Sequence, residues 1–150
     1  MDRVAIALGS NLGDRLAHLQ YAIARLRELL RALEVSRFVE TAPFGVEDDQ
    51  PPFLNGAAVG EASQVPADLL RELLGIEQER GRQRPFPKAA RTLDLDLVLF
   101  GDRIVNEPDL VVPHPRFRER RFVLEPLAQI APEMRDPVTG RTVRELLTRL

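Results

Sequence analysis

Asp94 and Asp96, in the segment ARTLDLDLVLF at 90–100, are two carboxylates set in a run that otherwise reads as a buried strand. Strand side chains alternate, so both project from one face, about 7 Å apart along the chain, while Leu93, Leu95, Leu97 and Leu99 project from the other. Like charges so placed repel unless a cation answers them, and keeping both protonated at neutral pH would need large pKa shifts. Mg²⁺ accepts one or two carboxylates and completes its octahedron with water and phosphate oxygens. Paired ions stand roughly 3.5–4 Å apart, a gap that neighbouring aspartates can span. Taken alone, D-x-D is equally compatible with a solvated edge strand.

The loop GRQRPFPKAAR, immediately before the strand, places Arg82, Arg84, Lys88 and Arg91 at its entrance. Metal ions can take inner phosphate oxygens while guanidinium groups take outer ones, the division used in phosphoryl transfer. Simple neutralisation of the aspartates by the arginines is the other reading. Two prolines and Phe86 make the loop a stiffened lid rather than a continuing helix. Gly9-Ser10-Asn11-Leu12-Gly13 is a glycine-rich turn but no P-loop, since GxxxxGK[ST] is absent. His114 sits between Pro113 and Pro115, a rigid setting for presenting a ring to a ligand, whereas His18 reads as a surface residue of the first helix. Thr41, Phe44, Phe53 and Asn55 combine rings with an amide suited to the edge of a flat heterocycle. Each phenylalanine taken singly reads as core.

The composition narrows the ligand. A chain of 150 residues, 44% hydrophobic and 29% charged, can bury a real core as one domain. Net charge is only −2, yet nine of the 21 cationic residues fall in two clusters, Arg80, Arg82, Arg84, Lys88, Arg91 and Arg116, Arg118, Arg120, Arg121. Local clusters in a mildly acidic protein fit a discrete anionic ligand, not a nucleic acid, which needs a basic stripe. The absence of cysteine excludes disulfides, thiol nucleophiles and thiolate metal sites. No apolar run is long enough to cross a membrane, and the start MDRVAIALGSN lacks a secretory signal, so a cytoplasmic address is expected.

These groups must be positioned by a scaffold. Val4 to Leu8 is a short apolar run closed by a turn. Leu16, Leu19, Ile23, Leu26, Leu30 and Leu33 predict an amphipathic helix over Asp14 to Leu33, with Asn11 or Asp14 near its N-cap. Val35 to Glu40 and Leu54 to Glu61 read as strands. Pro66 to Arg80 reads as a helix with Leu69, Leu70, Leu73, Leu74 and Ile76 on its apolar face, stopped by Gly81. The Asp94 strand ends near Phe100; a hairpin around Gly101 to Val112 and helices near Arg120 to Ile130 and Thr142 to Leu150 follow. Strand, helix, strand, strand, helix, strand is the ferredoxin-like α/β pattern, with a C-terminal extension. In that topology the end of the first strand, Thr41, Phe53 to Asn55, and Asp94 with Asp96 meet at one edge of the sheet.

GSNLGDR, TAPFGVEDDQPPFLN, IEQERGRQR, RTLDLDLVLF, VPHPRFRERRFVLEPL and IAPE occur in this order and cover nearly the whole chain. Together they resemble the 6-hydroxymethyl-7,8-dihydropterin pyrophosphokinase family of folate biosynthesis. The resemblance implies a ferredoxin-like fold, a single domain over 1–150, and transfer of pyrophosphate from ATP to the pterin hydroxymethyl group with release of AMP. It implies two Mg²⁺ ions on Asp94 and Asp96, and catalytic roles for these with Arg82 and Arg91. Glu77, Arg82, Arg84, Lys88, Arg91, His114 and Arg120 match ATP positions. Gly9, Thr41, Ala42, Phe44, Phe53, Asn55 and Phe122 match pterin positions. Its partners would be these two small molecules, with no nucleic acid or membrane, and the protein a monomer. Leu74, Lys88, Ala89, Asp109, Pro115 and Ala42 depart from the family pattern around the adenine and the mobile loops. A non-catalytic nucleotide-binding module of the same fold is the alternative, and paired aspartates argue against it.

Overall fold

A computed structural model describes residues 1–41, 51–81 and 92–150. The first strand, β1 (Asp2–Ser10), is flanked on both sides: antiparallel β4 (Phe53–Ala62) pairs with it throughout, and antiparallel β5 (Asp94–Phe100) closes the other side. β2 (Arg31–Val35) and β3 (Val39–Thr41) both pair with the far side of β4, so the order is β2-β4-β1-β5 with β3 beside β4. The third core strand thus lies between the first two, as the strand–helix pattern predicts for a ferredoxin-like sheet.

Helices α1 (Arg15–Leu29) and α2 (Pro66–Glu79) cover one face. Asp14, not Asn11, caps α1: its side chain accepts a hydrogen bond from the Ala17 N–H at 3.1 Å. Leu19, Ala22 and Leu26 from α1 and Leu69, Leu73 and Ile76 from α2 pack with Val4, Ile6 and Leu8 of β1. Leu16 and Leu74, expected on these apolar faces, are instead 47% and 46% exposed. The opposite face is covered by the extension: α3 (Arg121–Ile130), α4 (Val143–Thr148) and a 3₁₀ turn at Phe117–Glu119. A two-stranded hairpin, β6 (Val105–Glu107) and β7 (Leu110–Val112), leads into it. Among the described residues no helix is long and apolar enough to cross a membrane.

Three expectations need correction. The first helix ends at Leu29 rather than Leu33, because the long strand β4 needs a partner on its outer edge and the chain from Arg31 supplies it; Ala32 turns there with a positive φ of 51°. This is tertiary pairing overriding good helix formers. The second strand does not run unbroken from Val35 to Glu40. Ser36 fills the break, its Oγ accepting the Ala57 N–H at 2.8 Å while its own N–H reaches the Ala57 carbonyl. Gly56 allows Phe38 to lie across the sheet there, since a Cβ would sit 2.6 Å from its ring. Finally, Leu99 does not share a face with Leu93, Leu95 and Leu97. The register slips between Ala5 and Ile6, leaving Val98 as the extra residue of a bulge, so Leu99 joins the α3 side and Phe100 the α1 side.

Candidate active site

Pairing register brings the polar groups abreast. Gly9 of β1 stands opposite Asp94 on one side and Asn55 on the other, and Asn55 stands opposite Val39 of β3. One step along, Asp96, Ala7 and Ala57 form a parallel row. Adjacent strands are roughly 4.8 Å apart, so Asp94 and Asn55 are separated by about 10 Å with only a glycine between. The glycine keeps the surface between them low: a Cβ on Gly9 would come within 3.0 Å of Asn55 Oδ1 and 3.6 Å of Phe53 Cδ1, pressing on the amide. The result is a shallow floor with two carboxylates at one end and an amide and a ring at the other.

Asn55 is nearly buried, and its Nδ2 donates to Thr41 Oγ1 across the β3–β4 pair. The contact fixes the amide plane and leaves Oδ1 on the Gly9 side. Asp94 and Asp96 are half-buried on the same sheet face. They sit at an edge strand whose outer N–H groups need cover. Glu77 provides some of it: its carboxylate, 1% exposed, accepts the Leu95 N–H at 2.7 Å. Glu77 therefore buttresses the aspartate strand from the α2 side and does not line the cavity described next.

The roof comes from 113–122. A cavity of about 520 Å³ opens between this segment and the sheet, lined by Thr41, Asn55, Arg116, Arg120 and Phe122 among others. The Arg120 guanidinium carbon lies 5.5 Å from the centre of the Phe122 ring. Burial lowers the Arg120 pKa from its ordinary value, opposed by Asp96 and then Asp94, which face it. A half-buried cation held opposite two carboxylates is suited to sharing an anionic ligand with them. His114 is anchored by its N–H to the Val98 carbonyl, the bulged residue of β5, at 2.9 Å. Its Nδ1 accepts the Arg116 N–H at 3.2 Å, so a proton on the neutral ring resides on Nε2. Burial, and next Arg120, lower the His114 pKa, with Asp94 opposing.

The structure thus gathers Gly9, Thr41, Phe53, Asn55, Asp94, Asp96, His114, Arg120 and Phe122 at one end of the sheet. Ala42, Phe44, Arg82, Arg84, Lys88 and Arg91 lie outside the described residues. His18 is not a plain surface residue: Arg80 Nε donates to its Nδ1 at 2.9 Å, and the Arg80 guanidinium covers the Tyr21 ring at 4.7 Å. Sequence reasoning passed over Arg116 and Pro126 as cavity residues. The four-residue step from Phe122 to Pro126 along a helix was the available signal.

A carboxylate pair on rigid backbone, with hard oxygen donors only, is a donor set that fits Mg²⁺ and no thiophilic metal. Among the described residues no third carboxylate or histidine completes a cage, which fits an ion whose other ligands are water and phosphate.

Comparison with known proteins points the same way. The model of the 7,8-dihydro-6-hydroxymethylpterin-pyrophosphokinase family matches residues 5–132. A 2-amino-4-hydroxy-6-hydroxymethyldihydropteridine pyrophosphokinase from Synechocystis is 43% identical, covering 95% of this chain and 73% of the relative. Its counterpart from Pseudomonas aeruginosa is 41% identical, covering 98% and 91%. A folic acid synthesis protein of Schizosaccharomyces pombe is 39% identical over 97% of this chain but only 20% of its own length. Among solved structures, the Plasmodium falciparum HPPK-DHPS protein superposes with a TM-score of 0.75 at 16% identity, over 99% of this chain and 43% of that one, which establishes the fold.

Proposed function

The chain belongs to the 7,8-dihydro-6-hydroxymethylpterin-pyrophosphokinase family and is an ATP-dependent diphosphotransferase, and we propose that it runs its reaction across the Gly9 floor, with pterin at the Asn55 end and ATP at the Asp94 end. The observation that carries this reading is the register row Asp94–Gly9–Asn55. Its span of about 10 Å is the length of a two-ring heterocycle with a one-carbon arm, so the hydroxymethyl group arrives beside the carboxylates.

Asn55, its plane locked by Thr41, reads the pyrimidine edge of the pterin, and Phe122 and Phe53 supply apolar surface on the same side. Asp94 and Asp96 would hold Mg²⁺. Bound there, Mg²⁺ supplies charge neutralisation and alignment of the phosphate oxygens. Arg120 and His114 take the phosphate and nucleotide side from above, and Arg82, Arg84, Lys88 and Arg91 serve the outer oxygens. The pterin hydroxyl oxygen attacks the β-phosphorus of ATP, the bond between that phosphorus and the α–β bridging oxygen breaks, AMP leaves with that oxygen, and the hydroxyl proton passes to solvent water. Phosphoryl-type transfer asks little covalent chemistry of the protein, so positioning by these groups is the catalytic contribution, and Arg82 answers the charge that develops. We place the protein in the cytoplasm, acting as a monomer on small molecules.

Calorimetric titration with a non-hydrolysable ATP analogue tests the metal assignment. Binding should tighten at least tenfold with Mg²⁺ in the wild type and lose that response in Asp96→Asn. An equal Mg²⁺ response in both proteins would remove the aspartates from the site.

A further inference from the structure

Arg118 lies between two residues of the cavity, Arg116 and Arg120, yet turns away from it. Its Nε and Nη2 donate to Asp136 Oδ2 at 2.6 Å and Oδ1 at 3.1 Å, a fork on a carboxylate. Asp136 is fully buried. Its two oxygens also accept from the Val138 N–H at 3.0 Å and the Thr139 hydroxyl at 2.7 Å. Its backbone closes the turn, with its N–H on the Arg141 carbonyl and its carbonyl receiving the Gly140 N–H, both at 2.8 Å. The turn at 136–140 is therefore a rigid acceptor that exists independently of the ligand. The Arg118 guanidinium additionally covers the Phe117 ring at 4.9 Å, and Phe117 itself is fully buried.

Resting on the functional reading above, we propose that the Arg118–Asp136 fork is a positioning device for the pyrophosphoryl transfer: it sets the rotation of the 114–120 turn and thereby the reach of His114 and Arg120 toward the nucleotide. A bidentate fork fixes both the distance and the plane of the guanidinium, which packing of a short turn cannot do alone. Arg120 has a need for such control. Its Nε is buried without a hydrogen-bond partner, and its guanidinium lies over the Phe122 ring, so its placement depends on the backbone that carries it. Asp136 touches no substrate in this account and acts only through Arg118.

Steady-state kinetics on the full chain test it, with wild-type turnover measured first. Asp136→Asn places an amide N–H group against the arginine donors, and Arg118→Lys keeps the charge but loses the fork. Both are expected to raise KM for ATP about tenfold or more, since small misplacements of positioning groups are costly. The pterin KM should stay within twofold, because Asn55 and Thr41 are fixed on the sheet. Thr142→Ala is the control: it removes the capping box of α4 in the same C-terminal region, lowering thermal stability with KM for ATP unchanged. If both fork variants keep the wild-type KM for ATP, or Thr142→Ala raises it as much as they do, the proposal is overturned. Arg118→Lys retains the buried charge balance, so the test survives if Asp136→Asn does not fold. A wild-type protein that makes no pterin diphosphate would instead overturn the functional reading.

Discussion

The two faces of the central sheet are built from different residues for different ends. Toward α1 and α2 the strands present Val4, Ile6, Leu8, Leu93, Leu95 and Leu97, all buried, and the helices answer with leucine and isoleucine. Toward α3 the same strands present Ala7, Gly9, Asn55 and Ala57 at the site end, small residues and one amide, and pack Ala5, Val59, Val98 and Leu99 against α3 and α4 farther along. Large side chains on the first face leave no space, and burial there stabilises the fold together with the second buried cluster against α3 and α4. At the site end of the second face the cavity opens instead, with Val39, Thr41 and Asn55 on its sheet side and Arg116, Arg120 and Phe122 opposite. A single strand serves both: β5 alternates Leu95 and Leu97 into the core with Asp94 and Asp96 toward the site.

If this division is right, substitutions on the two faces should separate stability from turnover. The largest effect is expected from Asp94→Asn, with kcat reduced about 1,000-fold, roughly 4 kcal/mol of transition-state stabilisation, and an unchanged melting temperature. Stopped-assay kinetics beside a thermal melt check both halves. Leu97→Ala, next to Asp96 on the same strand but facing the core, should do the reverse. It should cost about 2–5 kcal/mol of stability in urea while kcat per folded molecule holds. Equal kinetic damage from both would erase the distinction.

The acid limb of stability sharpens it on the α3 side. Burial by itself would raise the Asp136 pKa, but hydrogen bonds from Arg118, Thr139 and the Val138 N–H hold it below its ordinary value of 3.8. A carboxyl that binds its proton less readily when folded stabilises the protein above the unfolded pKa, and that contribution disappears as pH falls through the folded one. Urea unfolding at pH 7 should therefore show Asp136→Asn less stable than wild type by roughly 2 kcal/mol, a charged hydrogen-bond loss, with the gap narrowing below pH 4. A gap independent of pH would mean the carboxylate charge is not what the fork uses. The smallest effect is Gly9→Ala, whose Cβ presses on Asn55 Oδ1: the pterin KM should rise about tenfold, near 1.4 kcal/mol, with KM for ATP unaffected.

Much of this arrangement was legible beforehand. Helix periodicity and strand order predicted the sheet topology, and topology alone placed Gly9, Thr41, Asn55 and Asp94 at one end; the register rows bear that out. Periodicity cannot see the bulge at Val98, because a bulge is a property of a strand pair, and strict alternation therefore puts Leu99 on the wrong face. Nor could it see the strand break at Ser36, where a side-chain hydroxyl stands in for a backbone acceptor. The Arg118–Asp136 fork joins segments of unrelated pattern, although the D-P-V-T-G turn carried the signature of a side chain bonding its own backbone. The resemblance named residues that physics alone did not single out, Glu77 among them. The structure adds that this carboxylate covers the edge of the aspartate strand.

The claim that organises the rest is that the Asp94 end delivers a pyrophosphoryl group to a pterin held at the Asn55 end. Phosphorus NMR of the purified protein with ATP, Mg²⁺ and 6-hydroxymethyl-7,8-dihydropterin reads it directly. The account requires AMP and the pterin diphosphate to appear in equal amounts; ADP with a pterin monophosphate, or ATP left intact, would contradict it.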